Sequence, residues 1–174
     1  MFFLMTFVSS AQKVSVSVNA LNLVSFGTLN ISGSYAMDRH WTSELEWVWN
    51  PWTYNVGDSQ FQNRNLTGSL GARYWPWHVY SGWWIKGNLQ YQIYNRGGVY
   101  SDLSEEGDAG GVGTGFGYAL MLTPWLNLDF GVGLWGGTKN YVVYECTRCG
   151  RIVESGSKWF VAPDNFMLTF SFIF

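Results

Sequence analysis

What most constrains this chain is an alternation of period two that recurs along nearly its whole length, with the polarity of a soluble protein reversed. In the closing stretch FMLTFSFIF, Leu168, Phe170, Phe172 and Phe174 alternate with Met167, Thr169, Ser171 and Ile173. Val14, Val16, Val18 and Ala20 alternate with Ser15, Ser17 and Asn19. Leu126, Leu128, Phe130, Val132 and Leu134 alternate with Asn127, Asp129, Gly131 and Gly133. Successive side chains of a strand point to opposite faces, so each run reads as a strand with one apolar face. The same template fits 29–37, 41–52, 66–75, 83–95 and 112–122, with Ile31, Tyr35, Leu45, Trp47, Trp49, Leu70, Leu89, Tyr91, Phe116 and Tyr118 on the apolar side. Counted from Lys13 to Phe174, this makes eight strands.

The opposite faces decide which way such a sheet closes. They carry Ser15, Ser17, Asn19, Glu44, Glu46, Arg73, Lys86, Asn88, Gln90, Gln92 and Asp129. A soluble ligand-binding barrel turns its apolar face inward. This second set is too polar for such a core, so the apolar set is expected outside, against lipid. The connections agree. Those after strands two, four and six (MDRHW, WPWHVYS, LTPW) are short. Those after three, five and seven (TYNVGDSQFQN, RGGVYSDLSEEGDAG, CTRCGRIVESGSK) are long and polar, and the first (NLVSFGT) is modest. Short turns at one end and long loops at the other are the pattern of an outer-membrane barrel. The expected fold is therefore all-β: an eight-stranded antiparallel up-and-down transmembrane β-barrel in the cell outer membrane. Backbone groups in lipid must all be paired, so the first strand must close against the last.

Composition supports this. Of the 174 residues, 19% are aromatic and only 13% charged, and there are 11 tryptophans, more than a core of this size would bury. Trp and Tyr suit a membrane interface, where one end of the ring is wet. Trp41, Trp75, Trp77 and Trp125 fall in or beside the short turns, at the rim that holds Phe174, while Trp52 and Trp135 fall near the other rim. A net charge of -2 argues against nucleic acid as a partner. No stretch is apolar enough for a membrane helix of about 20 residues. Residues 2–11 (FFLMTFVSSA) end in small residues, with Ser9 and Ala11 where a signal peptidase reads, so 1–11 is expected to be a truncated signal peptide and 12–174 the barrel. The alternative is that the first residues belong to the folded strand.

Several motifs also carry a resemblance. NPWTY at 50–54, GARYWPW at 71–77, YNRGG at 94–98, the glycine-alternating GVGTGFGYALML, LNLDFGVGLW, and CTRCG ahead of a terminal aromatic strand together resemble a family of small exported proteins of Bacteroidota, a domain of unknown function. The resemblance spans nearly the whole mature chain and implies no catalytic residues.

The interior of eight strands is just wide enough for side chains to fill. Five charges are expected there: Glu44, Glu46, Arg73, Lys86 and Asp129, with Glu46 meeting Arg73 across adjacent strands. A network of paired charges plugging the barrel is the expected arrangement, and a proton or ion pathway the alternative. Glu44 and Glu46, two apart on one face, invite an enzyme reading. Barrel enzymes, however, depend on a histidine near the outer leaflet or extracellular rim, whereas His40 and His78 lie in the short turns without a recognisable triad. Cys146 and Cys149 form C-x-x-C followed by glycine. A disulfide, free thiols and half of a metal site completed elsewhere all remain open for them. Asp102, Glu105, Glu106 and Asp108 read as a solvated acidic loop whose spacing matches no standard calcium loop. Phe170, Phe172 and Phe174 form the C-terminal signal that barrel-insertion machinery reads. The chain is thus expected to need no cofactor and not to be an enzyme. Its expected partners are outer-membrane lipid and lipopolysaccharide, the insertion machinery and other envelope proteins. Its expected role is that of a structural or interaction barrel in an envelope complex, with a narrow pore as the alternative and a lipid-modifying enzyme behind it.

Overall fold

The computed structural model describes residues 13–56, 59–98, 103–146 and 150–174. The expected signal peptide, and its alternative as a strand, lie outside the described residues. The elements are β1 (Val14–Asn19), α1 (Ala20–Val24), β2 (Leu29–Ala36), β3 (Trp41–Asn50), β4 (Thr53–Val56), β5 (Ser59–Tyr74), β6 (Gly82–Gly97), β7 (Ser104–Thr123), β8 (Leu126–Tyr144) and β9 (Ile152–Ile173). All pairings are antiparallel. β3 pairs with β5, and β1 pairs with β9, so β1, β2, β3, β5, β6, β7, β8 and β9 close into a ring of eight. β4 is a short hairpin partner of β5 outside that ring. At the seam, Val18 lies opposite Phe170 and Ser17 opposite Ser171. Lys13 N–H donates to Phe174 O at 2.9 Å, and Phe174 N–H to Val14 O at 2.8 Å.

Register keeps the two faces apart all round the wall. Leu45 faces Leu70, Leu70 faces Leu89 and Leu89 faces Val112, and these four are 62%, 59%, 64% and 61% exposed. A belt of aliphatic side chains therefore lies outside. A one-residue slip of any strand would turn its whole apolar set into the polar interior, which is why the register is so firmly specified. Two apolar clusters do lie inside. Trp75, Val79, Tyr80, Trp84, Ala119 and Ile173 pack at the short-turn end, and Tyr94, Ala109 and Trp135 pack with Phe160 and Ala162 toward the other.

The structure differs from the sequence reading in three respects. The long polar connections are mostly strand: 53–56 is β4, 59–63 begins β5, 104–110 begins β7 and 152–158 begins β9. Ladder bonds belong to the backbone, so an antiparallel hairpin runs on through polar residues. Polarity marks where an apolar band ends, not where a strand does. Secondly, the first connection contains the short helix α1, capped by Asn19, whose side chain accepts from Leu21 N–H at 3.1 Å. Thirdly, the tryptophan belt is smaller than expected. Trp41, Trp52, Trp77 and Trp125 are exposed, but Trp75 is 1% exposed and Trp135 is buried, both on the inside.

Candidate functional site

The interior divides into a sealed base and an open upper half. At the base, Arg73 projects inward from β5 and its Nη2 lies 2.8 Å from Glu44 Oε2, its Nη1 3.3 Å from Asp129 Oδ2. Lys86, inward from β6, places Nζ 3.0 Å from Glu44 Oε1 and 3.0 Å from Glu46 Oε2. Glu44 therefore bridges both cations. The Arg73 guanidinium lies 4.2 Å from the Trp84 ring centre and 5.5 Å from that of Trp75, so the layer's flanks are aromatic. Hydroxyls complete it: Ser171 donates to Asp129 Oδ2 at 3.0 Å, Ser17 to Ser171 at 2.9 Å, and Trp75 Nε1 to Thr42 Oγ1 at 3.2 Å. The gap left beside Arg73 and Tyr80 is about 10 Å³, space for about one water.

The five charges expected inside are thus brought together, but in different pairs. Glu46 and Arg73 were expected to meet. On β3 and β5, however, Glu46 lies opposite Ser69 and Arg73 opposite Thr42. The stagger carries Arg73 to Glu44 and Asp129, and leaves Glu46 to Lys86. Neighbouring strands alone do not specify partners along their length.

Sequence reasoning missed Trp84, Trp75 and Tyr80, which fill the base. The signal was present in the alternate glycines of 111–117 and 131–133. Gly117 and Gly131 flank the Trp84 ring. A Cβ at Gly131 would lie 2.6 Å from Trp84 Cη2, and one at Gly117 would collide with the same ring and with the Phe130 carbonyl. These glycines are the space that an inward tryptophan occupies.

Above this layer lies a cavity of about 400 Å³ open toward the long-loop end. One wall is amide and hydroxyl: Gln92 Nε2 donates to Thr67 Oγ1 at 3.1 Å and Gln90 Nε2 to Asp164 Oδ1 at 3.0 Å. Facing it, Trp135 and Phe160 pack edge to face with ring centres 4.6 Å apart. Lys139 Nζ pairs with Glu105 Oε1 at 2.6 Å, and Tyr94 donates its hydroxyl to the same oxygen at 2.7 Å. The expected acidic loop is therefore not one unit. Glu105 points inward, Glu106 accepts from Asn95 and from the Tyr144 hydroxyl, and Asp108 accepts from Asn140. Asp102 lies outside the described residues. Among the described residues no three His, Cys, Asp or Glu side chains converge as a metal site would require.

Both histidines are at the short-turn end and bind backbone. His40 Nδ1–H donates to Trp75 O at 2.9 Å, and His78 Nδ1–H to Val79 O at 3.1 Å. Phe170, Phe172 and Phe174 point outward at that same end, Phe172 stacking on Trp125 with ring centres 6.1 Å apart. Cys146 follows the end of β8, and Cys149 lies outside the described residues.

A closed eight-stranded antiparallel barrel, apolar outside and carrying a layer of paired charges inside, is the class these features define. Over residues 1–174 the chain matches the family described as protein of unknown function DUF3575, and it belongs to that family. No curated protein and no solved structure matches it.

Proposed function

We propose that the protein is a barrel of a bacterial outer membrane, in an envelope of the Bacteroidota type that its motifs resemble, and that it works by contact. It is a non-enzymatic structural or interaction component, a subunit or accessory of an envelope protein complex, and it uses no cofactor. The observation that carries this reading is the inverted partition of the wall. Outward side chains such as Trp83, Ile85, Leu89, Tyr91 and Ile93 of β6 are all exposed. They span 83–93, the length of about 9–11 residues with which a tilted strand crosses a bilayer. Lipid and lipopolysaccharide are the surroundings that such a belt requires. Phe170, Phe172 and Phe174 are the residues that insertion machinery would read.

The pore alternative is disfavoured by the ion-pair layer. A water-filled path would have to pass Arg73, Lys86, Glu44 and the rings of Trp75 and Trp84, and the gap beside Arg73 and Tyr80 is about 10 Å³. The lipid-enzyme alternative lacks a histidine at the long-loop end, and both imidazoles are engaged with backbone carbonyls. The test combines three measurements: currents from reconstituted protein in a planar bilayer, acylation of lipid A in a deletion strain, and purification from native membranes. A silent bilayer, unchanged lipid A and a stoichiometric envelope complex are expected. Steady single-channel currents would replace this reading with the pore, and altered acylation would replace it with the enzyme.

A further inference from the structure

Above Thr169, one edge of β9 has no described strand beside it. β1 accompanies β9 only from the pair Ser15–Ile173 to the pair Asn19–Thr169, whereas β8 follows it up to Ile152. The first rung past the end of β1 is closed by a side chain. Leu168 N–H donates to Asn19 Oδ1 at 3.2 Å, and Asn19 Nδ2 donates to Phe166 O at 3.2 Å, so one carboxamide stands in for a peptide group.

Beyond that rung the short helix α1 lies against β9, and no described strand pairs with this edge. Phe174, Leu168 and Phe166 have outward side chains, and each turns a backbone group toward the β1 side. The register shift opposite Val132 and Leu134 passes the outward set to Pro163, Val161, Trp159, Ser157 and Ser155. By strand geometry their backbone groups now face the open edge. Pro163 has no N–H to offer and ends the row at its lower end. Trp159 and Val161 are 83% and 81% exposed. A long edge with exposed apolar side chains is a template for another strand.

We infer that this edge, from Ile152 to Val161, docks an extended strand of a partner protein, added antiparallel to β9. The inference rests on the reading of the chain as a membrane barrel that acts by contact. Charge specifies the partner's chemistry. Glu154 and Lys158 lie on one face, both held by Tyr141: its hydroxyl donates to Glu154 Oε1 at 2.5 Å, and Lys158 Nζ lies 4.5 Å from its ring centre. An antiparallel complement therefore carries an acid opposite Lys158 and, four residues on, a base opposite Glu154, with apolar residues on its other face against Trp159 and Val161. A second copy does not fit. Copies in one membrane share an orientation, which excludes antiparallel pairing of β9 with β9, and parallel in-register pairing would set Glu154 against Glu154.

The segment 150–162 of this chain, GRIVESGSKWFVA, itself has the required acid-to-base spacing and serves as the probe. A fluorescein-labelled peptide of that sequence is titrated onto the detergent-folded barrel and followed by anisotropy. Saturable binding is expected, weakened at least tenfold by Val161→Pro, which removes an edge N–H and leaves the β8 ladder intact. Glu154→Lys is expected to weaken it severalfold, with recovery on a peptide carrying Lys158→Glu. Absence of binding to a folded, electrically silent parent, or binding indifferent to Val161→Pro, would overturn the docking edge while leaving the contact reading in place. A barrel that conducts would overturn the contact reading itself. Dimers of the barrel alone by analytical ultracentrifugation, abolished by Val161→Pro, would replace the partner strand with a second copy.

Discussion

Arg73 touches four side chains at once, two carboxylates and two indole rings, and Glu44 is the carboxylate it shares with Lys86. Removing one member of a buried ion network is costly because the others stay charged and lose their partner. Glu44→Gln strips a partner from both cations and is expected to cost about 3–5 kcal/mol. Glu46→Gln leaves Lys86 its bond to Glu44 and is expected to cost about 1–3 kcal/mol. Guanidinium unfolding in detergent checks the order, and equal midpoints for the two variants would contradict the bridging role of Glu44. A second residue-scale expectation concerns Gly131. Its methyl would enter the Trp84 ring, so Gly131→Ala is expected to destabilise by about 1–3 kcal/mol, as overpacking does. Combining it with Trp84→Leu should return part of that loss, and strictly additive losses would show that the two do not meet. That Glu44, Glu46, Arg73, Lys86 and Asp129 share the interior was legible from strand parity alone. Which charge meets which was not, because pairing depends on stagger, and the opposing residues Glu46–Ser69 and Arg73–Thr42 are set by the ring as a whole.

Among the elements, β7, β8 and β9 carry the clearest lesson. Their apolar alternation stops near Val112, Leu134 and Phe166, and the long connections expected from sequence are 96–110 and 146–158. β8 ends at Tyr144, ahead of the second, but β7 begins at Ser104 and β9 at Ile152, within those connections. Local pattern reports which face of a strand is apolar, while strand continuation reports only that a neighbour is present to receive backbone bonds, which is a tertiary fact. The same continuation leaves the β8–β9 connection short, with Cys146 at its start and Cys149 three residues on. On the proposed outer-membrane reading, protein purified from the envelope is expected to carry these cysteines as a disulfide. Intact mass after alkylation tests it: labelling of both thiols only after reduction is expected, labelling without reductant would exclude the bond, and stoichiometric zinc under native conditions would favour a metal knuckle.

At the scale of the whole molecule, β1 closes the ring against β9 between the pairs Ser15–Ile173 and Asn19–Thr169, and unfolding must break the ladder all round. Detergent-folded protein is accordingly expected to migrate faster on a gel unboiled than boiled, with a far-ultraviolet spectrum dominated by strand. A single mobility, or a helical spectrum, would contradict the closed barrel in solution. The sequence by itself determined the number of strands in the ring, their main outward and inward sets, and the end of the barrel at which the short turns and Phe174 gather, since period-two alternation and turn length are local properties of the chain. Only the tertiary structure decided that Trp75, Trp84 and Trp135 lie within, that Glu44 rather than Glu46 holds Arg73, and that β9 outruns β1 to leave an edge. Each of these depends on register between strands far apart in sequence, and register is settled when the eight strands close and large side chains find the glycines opposite them.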